Sequence, residues 1–241
     1  MSRTVVVTGG GTGIGRAVAA VFAKAGDTVV VTGRRAAPLE AAAAELGPGV
    51  RAVVCDAADP RQVAAFADGL DGPVDVLVNN AGGNTDFDGE EPGDLAAVAL
   101  AWRANLEANL ISAVLMTEAL AERLASGGAV VSIGSIAADK GSGSYGAAKA
   151  ALASWNIGLA RRLGRGGVTA NVVAPGYIAD TEFFRDRLTD ARRTALIDAT
   201  FTGRAGTPED VAGAVAFLCS PAARQLTGQV IAVNGGEYTT R

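Results

Sequence analysis

Short β-branched runs recur along the chain at residues 4–7, 28–32, 50–54, 74–78, 129–133, 168–173 and 229–233. Segments of helical period fill the intervals at 14–25, 38–46, 60–70, 95–125, 144–163 and 208–218. This alternation predicts an α/β protein of the Rossmann type, with a doubly wound, mostly parallel sheet of seven strands and helices on both faces. Runs such as Val5-Val6-Val7 and Val29-Val30-Val31 show no polar alternation, as expected of strands covered on both sides. With 241 residues and no linker-like tract or internal repeat, residues 1–241 read as one domain. Ligands of such sheets bind beyond the carboxyl ends of the strands. The chemistry-bearing residues of this chain fall at those ends.

Composition removes several function classes. The net charge is −4 and no basic stripe interleaves with aromatics, so nucleic-acid binding has no electrostatic support. The apolar run at 147–163 is interrupted by Lys149, Asn156, Arg161 and Arg162, so no membrane span is expected. Three residues precede the first strand, which leaves no room for a secretory leader, and the expected location is cytoplasmic. Two cysteines, Cys55 and Cys219, make no disulfide framework. Histidine is absent, which excludes His-ligated zinc, Ser-His-Asp triads and Cys-His pairs; no metal site is expected, and any proton transfer must use another group.

Directly after the first strand the chain reads Thr8-Gly9-Gly10-Gly11-Thr12-Gly13-Ile14-Gly15, and a helix follows at once. Glycines allow a sharp turn and close approach to a pyrophosphate, whose charge suits the free N–H groups and dipole of the helix start. The second strand ends Gly33-Arg34-Arg35, where an NAD site would usually place an acidic residue for the ribose 2′-hydroxyl. Two guanidinium groups suit a 2′-phosphate instead, so NADP(H) is the preferred cofactor, Arg34 its main contact and NAD(H) the alternative. At two further strand ends, Asp56 would meet the adenine amino group, and Asn80, Ala81 and Gly82 would border the adenine ribose.

The fifth strand runs into Ser132-Ile133-Gly134-Ser135, and Tyr145-Gly146-Ala147-Ala148-Lys149 follows a flexible stretch. Tyrosine and lysine four apart share one helix face. An ammonium beside a phenol is expected to favour phenolate and draw its pKa down toward working pH, so that Tyr145 exchanges a proton. A hydroxyl such as Ser135 can bond the substrate oxygen as charge develops there.

Together with Asn79 to Gly82, Asn109, Pro175-Gly176 and Asn234-Gly235-Gly236, these motifs resemble, in order and context, the short-chain dehydrogenase/reductase family over essentially the whole chain. The resemblance implies that Tyr145 is the acid/base and that Lys149 binds the nicotinamide ribose. Ser135 would then orient the carbonyl, and Asn109 would hold a relay water in a kinked helix. It places Pro175, Gly176 and Ile178 along the nicotinamide and Thr181 at its carboxamide. The stretch from Ser135 to Tyr145 is two or three residues shorter than is common in the family; Ser132 lies at the more usual distance and is the fallback for Ser135.

The expected activity is NADP(H)-dependent reduction of a ketone or 3-oxo group. The alternatives are an NAD-dependent alcohol dehydrogenase working oxidatively and a non-catalytic dinucleotide sensor. In texture the chain is nearest to 3-oxoacyl-(acyl-carrier-protein) reductases, so the small-molecule substrate is expected free or as a carrier- or CoA-bound group. The acidic stretch of Asp86, Asp88, Glu90, Glu91 and Asp94 disfavours an acidic carrier, although Arg161, Arg162, Arg165, Arg192 and Arg193 offset it elsewhere. Residues 177–203, with Phe183, Phe184, Leu188, Leu196 and Phe201, are expected to form a helical lid whose apolar residues either face substrate or pack it onto the body. Leu110, Val114, Leu152, Trp155 and Leu159 are expected on a face that makes a homotetramer or homodimer.

Overall fold

The computed structural model describes residues 2–87 and 93–239. Seven strands, β1 (Thr4–Thr8), β2 (Thr28–Gly33), β3 (Val50–Val54), β4 (Val74–Asn79), β5 (Leu124–Ile133), β6 (Thr169–Pro175) and β7 (Val230–Val233), form one sheet in the order β3-β2-β1-β4-β5-β6-β7. Every pairing is parallel. The connections run outward in opposite directions from β1 and β4, and the reversal opens a crevice beyond their carboxyl ends.

Around the sheet lie α1 (Gly13–Lys24), α2 (Ala36–Leu46), α3 (Pro60–Asp68), α4 (Leu95–Leu106), α5 (Ser112–Leu120), α6 (Ala137–Lys140), α7 (Gly143–Gly164), α8 (Asp190–Asp198) and α9 (Pro208–Leu218). Their starts are written locally. Asp59 accepts from the N–H groups of Arg61 and Gln62 ahead of Pro60, and Thr207 and Asp210 exchange bonds in a capping box ahead of Pro208.

Successive strand residues enter opposite apolar layers, which explains the unbroken valine runs. Val5, Val7, Val29 and Val31 pack with Val18 and Phe22 of α1 and with Val211, Val215 and Leu218 of α9. Val6, Val30, Leu77 and Val130 face the other way, onto Phe66 of α3, Met116 and Leu120 of α5 and Leu159 of α7.

The single helix expected over 95–125 is broken. A π-helical turn at Glu107–Ile111 separates α4 from α5, a 3-10 turn ends at Arg123, and Leu124 already pairs with Val74 as the start of β5. No glycine or proline lies in this segment, so its apolar period runs through the break unmarked. The face expected to make an oligomer is also placed differently. Leu152 and Leu159 are buried within the chain, Trp155 packs on the core that holds Leu159, and Leu110 and Val114 are half-buried, whereas Leu95, Leu100, Trp102, Ile111 and Ile157 on these helices are exposed. Among the described residues no helix is long and apolar enough to cross a membrane.

Candidate active site

A cleft of about 1500 Å³ crosses the carboxyl ends of the strands and gathers residues from every part of the sequence. At one end the glycine-rich turn leaves β1, with Gly9 and Gly13 in the left-handed region at φ +65° and +51°. Thr12 precedes α1 without a side-chain cap, so the first-turn N–H groups, which have no partner within the helix, stay available. Gly9, Thr12, Gly13 and Ile14 line the cleft, but Gly15 does not. A Cβ on Gly15 would lie 2.2 Å from the Gly9 carbonyl oxygen, so this glycine permits close packing rather than ligand contact.

The turn is clamped from β4. Thr8 Oγ1 accepts the N–H groups of Asn80 and Ala81 at 3.0 and 2.9 Å, and Asn80 Nδ2 donates to the carbonyls of Thr8 and Gly9, both at 3.0 Å. Asn80, Ala81 and Gly82 do border the cleft, but the Asn80 amide N–H groups hold the loop. Asp56 also lines the cleft and turns its chain by accepting from Ala58 N–H at 3.0 Å.

The two arginines after β2 separate. Arg34 is exposed and lines the cleft. Arg35 lines it too, but its guanidinium pairs with Glu182 at 2.6 Å, a residue 147 positions away. The paired arginine fork read from the sequence is therefore one open guanidinium beside one held by a carboxylate. Pairs as exposed as this one contribute little to stability.

Tyr145, Lys149 and Ser135 come together in the same cleft, which Pro175, Gly176 and Ile178 also line, while Thr181 lines it beside Gly13 of the glycine-rich turn. Lys149 is buried, donates to the Ile133 carbonyl at 2.8 Å and sits 5.8 Å from the centre of the Tyr145 ring. Its effect on the phenol differs from expectation. Burial pushes Tyr145 up to about 12, opposed only by a hydrogen bond from Ser135, and burial pushes Lys149 down to about 8. Desolvation disfavours both charged forms, and here it outweighs the attraction that sequence spacing suggests. Ser132 lies inside β5, fully buried, with no hydrogen-bond partner and no share in the cleft, so the strand end favours Ser135.

Asn109 lies in the π turn but does not line the cleft. Its amide Nδ2 donates to the Gly83 and Asn105 carbonyls and its Oδ1 accepts from Gly83 N–H, so the side chain fixes the loop after β4. Sequence reading missed the neighbours that complete the arrangement. Asn105 Nδ2 donates to Asp86 and Ser144, and Ser144 donates to Asp86, which ties that loop to the start of α7. Asp86 is thus committed inward, and Asp94 caps α4; Asp88, Glu90 and Glu91 lie outside the described residues. Of the arginines weighed against them, Arg162 pairs with Glu118 and Arg192 lines the cleft.

The lid residues divide. Phe183 stands 5.5 Å from the Tyr145 ring and meets Phe87 and Phe184, while Phe184 also meets Tyr177. Leu196 of α8 lines the cleft, whereas Phe201 is 81% exposed. One wall of the cleft is therefore aromatic and presses against Tyr145.

A family model described as Enoyl-(Acyl carrier protein) reductase matches residues 9–238. The 3-oxoacyl-(acyl-carrier-protein) reductase FabG of Escherichia coli (strain K12) is 33% identical over 249 residues, covering 98% of this chain and 97% of the relative. A solved 7α-hydroxysteroid dehydrogenase complexed with NADH and 7-oxo glycochenodeoxycholic acid superposes with a TM-score of 0.88 at 33% identity, covering 97% of this chain and 93% of that one. A short chain dehydrogenase from Burkholderia cenocepacia J2315 in complex with NADP gives 0.86 at 34% identity, covering 98% and 97%. With its crossed-over parallel sheet, its glycine-rich turn and its Tyr145-Lys149 pair, the chain belongs to the short-chain dehydrogenase/reductase family of oxidoreductases.

Proposed function

We propose that the protein reduces a ketone to a secondary alcohol with NADPH, Tyr145 giving the proton. The observation that carries this reading is the convergence of Tyr145, Lys149 and Ser135 in the same cleft that the glycine-rich turn lines. The residues fit a dinucleotide. Gly9, Gly11 and Gly13 leave a cradle free of their own side chains at a helix start, with Ile14 beside it; Asp56 supplies an acceptor for an adenine amino group, and Arg34 supplies the charge for a 2′-phosphate. Bound there, the cofactor supplies the hydride.

The chain's own groups supply the proton. With its pKa near 12 the phenol keeps its proton at neutral pH, which is the state a donor requires. Ser135, at the end of β5, bonds the carbonyl oxygen as it becomes an alkoxide. Lys149, charged below about 8, steadies the proton-donating end of the site. Pro175, Gly176, Ile178 and Thr181 shape the nicotinamide end. Asn109 acts through the loop it holds, and the π turn it sits in is the place for a relay water. The substrate is a small molecule, whether free or carried as an acyl thioester. The exposed apolar residues of α4, the π turn and α7 form the contact of a homotetramer, and two free, buried cysteines suit the cytoplasm.

A panel of ketones and 3-oxoacyl thioesters followed by NADPH absorbance tests the activity; silence across the panel sinks it. Arg34→Glu is expected to lower the NADPH-over-NADH ratio of kcat/KM by about 100-fold, since it removes a charge-assisted contact and adds a repulsive one. An unchanged ratio removes the cofactor assignment. Ser135→Ala is expected to lower kcat by about 100-fold through the lost oxyanion donor, and Ser132→Ala by less than about twofold. If only the Ser132 substitution abolishes turnover, the wrong serine has been chosen.

A further inference from the structure

Glu237 follows the last strand and contributes to the same cleft. Its side chain is only 3% exposed. One carboxylate oxygen, Oε1, accepts from Lys140 Nζ at 2.5 Å. The other, Oε2, is buried with no hydrogen-bond partner, and lies 3.0 Å from where a Cβ on Gly176 would stand. Gly176 and the 135–140 segment are neighbours, since Ile136 N–H donates to the Pro175 carbonyl at 3.1 Å. The unpartnered oxygen therefore lies against Gly176, next to the segment that carries Ser135 and Lys140, in a residue that lines the cleft. A carboxylate oxygen left dry without a donor is costly, and such an oxygen beside a cleft marks a place for one.

Charge selects the kind of donor. Glu237 and Lys140 neutralise one another, so the pair offers no net charge to hold an ammonium, and the carboxylate repels an anion. A hydroxyl matches both members, donating to Oε2 and accepting from an ammonium N–H that Lys140 has not spent on Glu237. Phe87, Phe183 and Phe184, which line the same cleft, take an apolar face.

We infer that Glu237 and Lys140 form a hydroxyl-binding subsite, and that the substrate is a ketone carrying a further hydroxyl group as well as an apolar face. This inference rests on the ketone-reductase reading above and names the substrate class for it. It is tested with cyclohexanone and its 2-, 3- and 4-hydroxy derivatives, which differ by one hydroxyl at scanned distances from the carbonyl.

With the native protein and NADPH, at least one hydroxy isomer should exceed cyclohexanone in kcat/KM by about tenfold or more. The isosteric Glu237→Gln, and Glu237→Leu beside it, should bring that ratio close to one, and Lys140→Met should lower it part of the way. A merely structural role for Glu237 lowers both substrates together and leaves the ratio intact, which overturns the proposal. Native enzyme that reduces cyclohexanone without favouring any hydroxy isomer also overturns it, and leaves the ketone-reductase reading standing. Turnover of no ketone at all sinks that reading and this one with it.

Discussion

Tyr145→Phe is expected to lower kcat for ketone reduction by at least about 1000-fold while NADPH affinity stays within about threefold of the native value, the loss lying at the upper end of what one general acid contributes. The substitution removes one oxygen and its proton and keeps the ring, so the packing of Phe183 against it is retained. Lys149 is turned toward the Ile133 carbonyl and histidine is absent, so neither offers a ready substitute donor. Isothermal titration with NADPH and single-turnover absorbance separate binding from chemistry. A variant that keeps more than a tenth of native kcat refutes the assignment of the proton to Tyr145.

The same site fixes the pH dependence of the native enzyme. Burial lowers Lys149 to about 8, so its charge is present below that pH and lost above it, while the phenol near 12 keeps its proton throughout. Reductive kcat/KM, which reports groups of the free enzyme, should fall with a single proton as pH rises through about 8 and show no second break between 8 and 10. A rate that rises through that window reverses the sign of the argument.

Gly15→Ala is expected to raise the dissociation constant for NADPH by at least about 100-fold and to destabilise the fold by about 1–3 kcal/mol, the usual cost of overpacking a closed site. The new methyl would stand 2.2 Å from the Gly9 carbonyl oxygen and 2.4 Å from Asn80 Nδ2. Those two atoms are themselves bonded at 3.0 Å, and Thr8 Oγ1 holds the next two N–H groups, so neither side can give way without moving the glycine-rich turn. The effect on the cofactor is thus indirect. Gly213→Ala in α9, where nothing stands within 4 Å of the added methyl, is the control and should be neutral or slightly stabilising. Native NADPH affinity in Gly15→Ala, measured by titration alongside thermal melting, refutes the clamp.

Much of this was legible one residue after another. Continuous valine runs and the glycine-rich turn state a local preference, and the structure keeps the strands within a residue or two except β5, which starts at Leu124 rather than at residue 129. The long apolar stretch from Leu95 misled, because a π turn needs no glycine or proline and leaves the helical period nearly intact. Two of the residues read as an oligomer face, Leu152 and Leu159, misled for a related reason: periodicity identifies an apolar stripe but not what covers it, and these two are covered by the chain itself.

By itself the sequence determined the doubly wound sheet, the place of the cradle and the Tyr145-Lys149 face, since each depends on residues a few positions apart. Only the tertiary structure decided which way the phenol titrates, that Arg35 is held by Glu182, that Asn80 and Asn109 serve loops, and that Glu237 meets Lys140 across 97 residues. Burial and long-range pairing depend on what the folded chain brings together and closes off from water, and no local spacing records that.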